Sequence, residues 1–475
     1  MPKLPKIKDD FAGWYNEVVQ RAELADYAPV RGCMVIRPYG FAIWEHIQAR
    51  LDRMIKDTGH VNAYFPLFIP EAFIKKEAEH VEGFAPELAV VTQGGGKELE
   101  EPLVIRPTSE TIINAMYAKW IQSWRDLPVL INQWANVVRW ELRPRLFLRT
   151  TEFLWQEGHT AHATREEAHE EAIRMLMVYK TFAEETLAMP VLTGLKSEAE
   201  RFAGAQATYP IEALMQDNRA LQAGTSHELG QNFARAFNIQ FQSKEGTLEY
   251  VWQTSWGVST RLVGGVVMCH GDDRGLVLPP AVAPYQAVVV PIWHSDEERD
   301  RIKARLAHIT PVLAGRLRLF VDDREQYNPG WKFNEWELKG VPLRVELGPR
   351  DLAEERVVIV RRDTGEKAGV PQAGLADCLS DLLDAVQRGL LERATGRLKA
   401  NTHLLDDYAA VCRLYEGQEG LALAPWCGGA DCEATIRADT KATIRVVPFE
   451  AIDAGSPCVV CGKPSPTRVY IARAY

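Results

Sequence analysis

The chain has 475 residues, too many for one ordinary domain and enough for two or three domains with cores of their own. With 46% hydrophobic and 25% charged residues, its composition is typical of a folded globular protein and argues against disorder along the whole chain. The net charge of -9 excludes a global attraction for polyanions, so any nucleic-acid binding must depend on local clusters of lysine and arginine.

Two stretches of sequence bear on targeting. Residues 1–11 contain lysines but no apolar run of signal-peptide length, so nothing indicates export. The longest uncharged stretch, residues 275–293, contains four prolines, and these exclude a membrane-spanning helix there. We therefore expect a cytoplasmic protein that does not insert into a membrane.

Residues 1–284 are predicted to form a first domain of α+β type. Apolar residues recur at helical spacing between Phe11 and Ala22, directly behind Asp9 and Asp10. This pattern predicts an opening helix with an acidic N-terminal cap.

The rest of the first domain mixes short strands with helices. Strands are predicted at residues 63–69 and 132–141. Because such strands are often adjacent in sequence, we expect an antiparallel sheet flanked by helices. The proline-rich residues 279–284 mark the end of this domain.

Residues 285–398 have the pattern of a second domain of alternating α/β type. The apolar run 288–290 predicts a buried strand, and Ser295 and Glu298 have the spacing of a helix capping box. We expect that helix to end at Pro311, because proline breaks helices. Further strands and one long helix are predicted at residues 317–321, 343–347, 357–360 and 375–391.

The strongest chemical signal is the segment 132–159, which predicts two strands joined by an arginine-rich loop. Arg139 and Glu141 lie two residues apart on the first predicted strand, so both side chains leave the same face of the sheet. A guanidinium beside a carboxylate can hold a triphosphate together with a nucleobase or an amine. From these residues alone, a surface ion pair of little consequence is an equal alternative.

This segment resembles motif 2 of class II aminoacyl-tRNA synthetases, in the form found in prolyl-tRNA synthetases. The matching letters are R-W-E, then a loop, then F-L-R-T-T-E-F-L-W-Q-E-G-H. The resemblance implies that Arg139 contacts the α-phosphate of ATP and the carboxylate of the substrate. It implies nucleotide contacts for Glu141 and Thr150, and it directs the loop arginines toward the acceptor end of tRNA.

The same resemblance implies a reaction and a domain order. The reaction is ATP-dependent attachment of L-proline to tRNA(Pro) through a prolyl adenylate, with ATP bound as its Mg2+ complex and with the enzyme acting as a homodimer. Residues 1–284 then correspond to the class II catalytic domain, and residues 285–398 to the anticodon-binding domain. In this family the nucleotide and the amino acid share one cleft.

Thr108 and Glu110 form a T-x-E element. From the sequence alone, Thr108 is as well explained as a helix N-cap with Glu110 in the first helical turn. The resemblance implies that both residues receive the nitrogen of proline, whose secondary ammonium has two N–H donors and needs acceptors. The cap and the ligand role can coexist.

Two later segments complete the implied site. Residues 222–227 are predicted to lie in a turn-rich stretch, and the resemblance implies that Gln222 and Thr225 contact the nucleotide and His227 the proline. The segment W-G-V-S-T-R ahead of an apolar helix resembles motif 3, which implies nucleotide contacts for Ser259 and Arg261. For Arg261 the alternative is an exposed arginine at a helix start.

The letters Y-F-P-L at residues 64–67 resemble the strand of motif 1 more weakly. In the family, the proline of that strand lies at the dimer interface. By itself this is only an apolar strand. The assignment of a homodimer therefore depends on the family resemblance.

The clustered cysteines lie in residues 399–475, which we predict to be a small third domain. They have the spacing C-x4-C and C-x2-C, at Cys427, Cys432, Cys458 and Cys461. Four thiolates in two pairs predict a structural Zn2+ site, because four protein ligands leave no open position for catalysis. A redox pair and an empty cysteine cluster are the alternatives. The archaeal and eukaryote-like branch of prolyl-tRNA synthetases has such a domain and ends, like this chain, in tyrosine.

Two other functions compete with the implied one. A catalytically silent relative could bind tRNA, but the joint presence of Thr108, Glu110, Arg139, Glu141 and Arg261 argues against it. A synthetase for another amino acid is a nearer alternative, and the T-x-E element with His227 is the feature that discriminates between them. Arg139 and Arg261 are the predicted catalytic residues, since they can meet the charge that develops on the phosphate oxygens.

Overall fold

A computed structural model describes residues 3–80, 88–141, 143–417 and 419–475. These residues form three consecutive units, each organised around its own main β-sheet. Within the described ranges, no helix combines the length and the apolar character needed to cross a bilayer.

The first unit is built on a seven-stranded sheet with the strand order β3-β7-β8-β14-β11-β10-β9. Only β3 and β7 pair in parallel, which confirms the predicted antiparallel sheet flanked by helices. The helices are α1 (Phe11–Arg21), α2 (Pro38–Asp57), α3 (Glu71–His80), α4 (Glu110–Trp120), α5 (Arg165–Thr181), α6 (Asn232–Phe237) and α7 (Arg261–His270). The strands are β1 (Ala25–Tyr27), β2 (Met34–Ile36), β3 (Val61–Asn62), β4 (Phe68–Pro70), β5 (Ala89–Gly94), β6 (Lys97–Ile105), β7 (Val129–Val138), β8 (Glu152–His162), β9 (Val191–Thr193), β10 (Ala207–Leu214), β11 (Ala220–Gly230), β12 (Gln240–Gln242), β13 (Leu248–Tyr250) and β14 (Trp252–Ser259).

Helices α1, α2, α5 and α7 bury one face of this sheet. Trp14, Ile43, Met175 and Val263, one from each helix, are fully buried in a single apolar cluster. Trp256 of β14 points into the same cluster. Because side chains alternate along a strand, the residues next to it in β14 face the other side of the sheet, where the cleft lies.

The opening helix follows the prediction. The carboxylate of Asp10 accepts a hydrogen bond from the backbone N–H of Gly13, at 2.8 Å, and so caps α1.

The strand prediction for residues 63–69 is largely wrong, since only Phe68–Pro70 pairs as a strand at that end. Arg106 uses the backbone oxygens that a neighbouring strand would otherwise bond. Its guanidinium donates to the carbonyl of Phe65 at 2.7 Å, and its backbone N–H donates to the carbonyl of Leu67 at 2.9 Å. This buried arginine thus holds the irregular segment together with Gln133, whose side-chain oxygen accepts a hydrogen bond from the N–H of Phe65 at 2.6 Å.

The second unit has a mixed five-stranded sheet in the order β16-β15-β17-β18-β19. Strand β15 pairs in parallel with β16 and with β17, as the α/β prediction requires, whereas β17, β18 and β19 pair antiparallel. The strands are β15 (Ala287–Pro291), β16 (Leu319–Val321), β17 (Leu343–Leu347), β18 (Arg356–Arg361) and β19 (Lys367–Pro371), and the helices are α8 (Asp296–Ala314), α9 (Pro329–Leu338), α10 (Pro349–Ala353) and α11 (Leu375–Ala400).

The predicted cap of α8 is present, and the predicted stop is not. The hydroxyl of Ser295 accepts a hydrogen bond from the N–H of Glu298. The helix continues past Pro311 to Ala314. Because Pro311 lies close to the C-terminal end of α8, it removes one backbone hydrogen bond of the last turns, and only a short piece of helix follows it.

The third unit has a four-stranded sheet in the order β20-β21-β23-β22 with two helices. Its elements are β20 (Thr402–Leu404), α12 (Tyr408–Gly417), β21 (Leu421–Trp426), α13 (Ala430–Thr440), β22 (Thr443–Val446) and β23 (Thr467–Ala472). It packs against the first unit through backbone pairing of Leu195 with Val447, which brings it close to the cleft described next.

Candidate active site

The open face of the seven-stranded sheet contains a cleft of about 340 Å³. This volume is in the range of small-molecule sites. Eight of the predicted site residues line it together: Thr108, Glu110, Arg139, Gln222, Thr225, His227, Ser259 and Arg261. Residues from four distant parts of the chain therefore meet in one place.

Arg139 lies one residue beyond the end of β7, and its N–H still pairs with the carbonyl of Thr151 at 2.8 Å. Its guanidinium Nε donates to the carbonyl of Pro107 at 2.9 Å and lies over the rings of Phe153 and Trp155. Desolvation in the cleft lowers the pKa of Arg139, while Glu110 and Glu157 oppose that shift. The arginine stays charged, because its ordinary pKa is above about 12.

Arg261 is the first residue of α7 and points into the same cleft. Its Nε donates to the carbonyl of Leu148 at 3.2 Å, and its Nη1 donates to the carbonyl of Gln222 at 3.4 Å. Burial, and after it the nearby Arg139, lowers the pKa of Arg261 to about 10. Backbone carbonyls orient both guanidinium groups without neutralising them, so the cleft is suited to bind an anion.

Thr108 and Glu110 are buried at the start of α4. The Thr108 hydroxyl donates to the Glu110 carboxylate. The alternative role of Thr108 as helix N-cap is wrong, because the N-cap position is Ser109, and its hydroxyl donates to Glu157 at 2.5 Å instead of capping the helix. Thr108 is thus free of the helix backbone and faces the cleft.

His227 lies on β11 within hydrogen-bond distance of Thr208, with 2.9 Å between its Nδ1 and the threonine hydroxyl. Its ring contacts that of Phe202, with centroids 4.7 Å apart. Burial, and then the nearby His159, lowers the pKa of His227 to about 3. The imidazole is therefore neutral at physiological pH and adds no positive charge at this end of the cleft.

The turn predicted for residues 222–227 is wrong, since all six lie within β11. Strict alternation would direct Gln222 and Thr225 to opposite faces of the sheet. The register with β10 shifts here, because Glu212 pairs with Gln222 while Ile211 pairs with Gly224. The extra residue is a β-bulge, and it brings both side chains to the cleft.

Two predicted nucleotide ligands lie outside the cleft lining. Glu141 is ion-paired with Arg149, at 3.4 Å between Oε2 and Nε, and accepts a hydrogen bond from the N–H of Arg143. The Thr150 hydroxyl donates to the carbonyl of Glu152 at 2.7 Å. Both residues belong to the loop that follows Arg139, and their nucleotide contacts remain predictions.

Sequence reasoning missed an acidic and aromatic row on β8. Phe153, Trp155, Glu157 and His159 alternate along this strand and all line the cleft. Period-two spacing within the motif 2 letters was the signal that could have found them.

Glu157 and His159 form a buried pair, with 3.0 Å between Oε2 and Nε2. Burial alone would favour the neutral form of each group. The hydrogen bond between them, their opposite charges and the further contacts of each group together outweigh burial, so the pKa of Glu157 is lowered and that of His159 is raised. Gln133 also donates to Glu157, at 2.8 Å, so several hydrogen bonds fix this carboxylate at the cleft lining.

The four clustered cysteines of the third unit converge as predicted. The sulfur atoms of Cys427, Cys432, Cys458 and Cys461 all lie within 4.8 Å of one another. Two of the sulfur pairs are 3.6 Å apart. Tetrahedral ligands at a zinc–sulfur distance of about 2.3 Å would be about 3.8 Å apart, so the cluster fits Zn2+.

One thiol of the cluster is predisposed to ionise. Burial raises the pKa of Cys458, but backbone N–H groups of Cys461 and Val460 outweigh it and bring the pKa to about 7. A thiolate is the form that ligates metal.

Sequence and structure comparisons agree with this geometry. Three family models match the chain in order: tRNA synthetase class II core domain (G, H, P, S and T) at residues 91–270, anticodon binding domain at 286–382, and prolyl-tRNA synthetase, C-terminal, at 411–475. The model for the third region is specific to one amino acid, whereas the first covers five synthetases.

Similar proteins cover nearly the full chain. A proline–tRNA ligase of Natranaerobius thermophilus is 56% identical over 98% of this chain and 97% of its own, and one of Chlorobium phaeovibrioides is 57% identical over 100% and 99%. The crystal structure of prolyl-tRNA synthetase from Cryptosporidium parvum complexed with halofuginone and AMPPNP superimposes with a TM-score of 0.94, at 42% identity over 99% of both chains. On these similarities, the chain belongs to the prolyl-tRNA synthetase family.

Proposed function

We propose that this enzyme activates L-proline with ATP and transfers the prolyl group to tRNA(Pro) for protein biosynthesis. One observation carries the proposal: Arg139 and Arg261, from distant segments, point into one cleft that also contains Thr108 and Glu110. The two arginines are suited to bind anionic groups, and Thr108 and Glu110 are suited to bind an amine. A bound amino acid and a bound triphosphate need both.

Activation begins with attack of the proline carboxylate on the α-phosphate of ATP, and pyrophosphate leaves. We assign Arg139 to both the carboxylate and the α-phosphate, as the family resemblance implies, and its place in the cleft lining supports this. Arg261 meets the charge that develops on the phosphate oxygens, so electrostatic positioning supplies the catalysis and no side chain acts as a nucleophile. ATP enters as its Mg2+ complex.

The nucleotide has further proposed ligands on two strands and a loop. Gln222, Thr225 and Ser259 line the cleft beside Arg261, which supports their contact with ATP. Glu141 and Thr150 are assigned to ATP from the family resemblance. Their loop is adjacent to Arg139 in sequence.

The proline end of the cleft supplies acceptors, and the positive charge of His159 beside them is paired with Glu157. The Thr108 hydroxyl donates to Glu110, so its oxygen lone pairs remain available for one N–H of the proline ammonium. The Glu110 carboxylate is suited to the second N–H. His227, kept neutral by burial, adds contact without repelling the ammonium.

We propose the domain limits 1–284, 285–398 and 399–475 for the catalytic, anticodon-binding and zinc-binding domains. The matched ranges 91–270, 286–382 and 411–475 fall inside these limits. The resemblance supports a cytoplasmic homodimer, with the apolar segment at residues 64–67 near the subunit contact. Cys427, Cys432, Cys458 and Cys461 would hold Zn2+ as a structural ion, which supplies folding energy and no catalysis.

The test is amino-acid-dependent exchange of pyrophosphate into ATP, measured with each of the twenty amino acids. We expect exchange with proline above all others. Arg139→Ala should lower the exchange rate by about 100-fold or more, because it removes a charge that contacts the reacting groups.

Arg299→Ala is the matched control, since Arg299 lies on the surface of α8 in another unit. It should leave exchange unchanged. The proposal fails if proline does not support exchange, if another amino acid supports it better, or if Arg139→Ala is as active as the unsubstituted enzyme.

A further inference from the structure

Residues 194–202, here called the wall segment, lie between the cleft and the third unit. On the inner side, Glu200 and Phe202 line the cleft. On the outer side, Leu195 and Val447 exchange two backbone hydrogen bonds of 2.8 Å. A Cβ at Gly194 would lie 2.2 Å from the carbonyl of Val447, so only glycine allows this approach.

Side chains reinforce the backbone contact. The Ser197 hydroxyl donates to the carboxylate of Glu433 on α13, at 2.5 Å. Arg445 of β22 reaches in the other direction, from the third unit into the first. Its Nη2 lies 2.8 Å from Oε1 of Glu212, and its Nη1 lies 3.3 Å from Oε2 of Glu200.

A fourth charge completes the network. The ammonium of Lys196 lies 2.7 Å from the same Glu212 oxygen. Lys196 and Glu212 are each only 1% exposed, and Arg445 is 8% exposed. Two cations thus face two anions, and three of the four side chains are nearly dry, which is the arrangement that buried charges require.

Glu200 is the member of this network that faces the cleft. It is 22% exposed, and Arg445 is its ion-pair partner. The network is within electrostatic reach of the nucleotide end. Burial and then Arg139 lower the pKa of Arg261, and the charges of Glu212 and Arg445 act on the same pKa in opposite directions.

We propose that Arg445 of the third unit is a positioning residue for the reaction, because it neutralises Glu200 at the wall of a cleft that must admit an anionic nucleotide. The inference rests on the proposed function, since it assumes that ATP enters this cleft. Removing the Arg445 charge leaves the Glu200 carboxylate uncompensated and free to face the cleft. An uncompensated carboxylate at the cleft wall repels the phosphates and so raises the free energy of the bound nucleotide.

The experiment compares KM for ATP and kcat in proline-dependent pyrophosphate exchange. Arg445→Met should raise KM for ATP about tenfold with a smaller change in kcat. Arg445→Lys keeps the charge and should stay closer to the unsubstituted enzyme. Adding Glu200→Gln to Arg445→Met should restore most of the lost affinity, because the uncompensated charge is then gone.

Arg468→Met is the matched control. Arg468 is also nearly buried, but its carboxylate partners, Asp406 and Asp453, lie within the third unit. This substitution should leave KM for ATP unchanged in protein that remains folded. An equal rise in KM for Arg468→Met, or a failure of Glu200→Gln to restore Arg445→Met, would mean a purely structural role and would overturn the proposal.

Glu200→Gln alone keeps the proposal testable if Arg445→Met does not fold. Arg445 then keeps only Glu212, which it shares with Lys196, so the network gains one net positive charge and KM for ATP should fall, by about threefold. An unchanged or higher KM would contradict the proposal. If instead the unsubstituted enzyme shows no exchange with proline, the proposed function fails and not this inference alone.

Discussion

At the scale of single residues, the pair of Glu157 and His159 makes stability depend on pH. The raised pKa of His159 means that its contribution is complete below its ordinary pKa of about 6.5 and is lost as pH rises through the raised value. The lowered pKa of Glu157 means that its contribution is complete above about 4.5 and is lost as pH falls through the lowered value. The pair therefore stabilises the fold most between these two limits.

We predict that His159→Gln destabilises the protein by about 3 kcal/mol near pH 5.5, because it leaves a buried carboxylate without its charged partner. The difference from the unsubstituted protein should shrink as pH rises toward 9. Urea unfolding midpoints measured at several pH values check this. In a Glu157→Gln background, the same histidine substitution should lose most of its pH dependence, whereas a difference that grows with pH would contradict the assignment.

At the scale of elements, the close approach of β11 to β14 depends on Gly224. A Cβ at this position would lie 2.6 Å from Cγ1 of Val258 and 3.2 Å from the carbonyl of Gly257. Gly224→Ala should destabilise the protein by about 1–3 kcal/mol, because neither strand can move away within the sheet. It should also slow pyrophosphate exchange about 10-fold or more, since β14 leads directly to Ser259 and Arg261.

The control is Gly396→Ala in α11, where an added Cβ meets nothing within 4 Å. Alanine there should stabilise the helix by about 0.5–1 kcal/mol and leave exchange unchanged. Thermal unfolding and the exchange assay distinguish the two substitutions. Equal effects would show that the packing at Gly224 is not limiting.

The same strand shows what sequence patterns could and could not predict. The motif letters correctly brought Arg139, Arg261 and His227 to one cleft, because such letters carry a chemical requirement that does not depend on local conformation. They did not predict that residues 222–227 form a strand. Glycine and polar residues favour turns locally, and only the neighbouring strands and a β-bulge override that tendency.

Contacts between residues far apart in the sequence could not be predicted from sequence patterns. The ion pairs of Arg445 with Glu212 and Glu200 join residues more than two hundred positions apart. Periodicity and capping signals report on a few neighbouring residues, so they cannot predict such pairs. The cysteine cluster could be predicted, because metal ligands must occur as specific residue types in close pairs.

At the scale of the whole molecule, the cysteine cluster and the wall of the cleft share one helix. Cys432 lies in the first turn of α13, and the next residue, Glu433, accepts the hydrogen bond from Ser197. If Zn2+ fixes this turn, as the sulfur geometry indicates, the metal also fixes the outer support of the wall segment.

We predict about one zinc per chain in the purified enzyme, and substantially less in Cys432→Ser, because the loss of one of four thiolates weakens a tetrahedral site. The variant should also show earlier proteolysis within residues 399–475 and a higher KM for ATP in proline-dependent pyrophosphate exchange. Elemental analysis, limited proteolysis and exchange kinetics measure the three effects.

Cys378→Ser is the control, since Cys378 lies in α11 outside the cluster, and it should change none of them. A metal content that is the same in both variants would rule out the cluster as the zinc site. An unchanged KM for ATP in a zinc-free, proteolysed Cys432→Ser enzyme would show that the metal does not support the cleft.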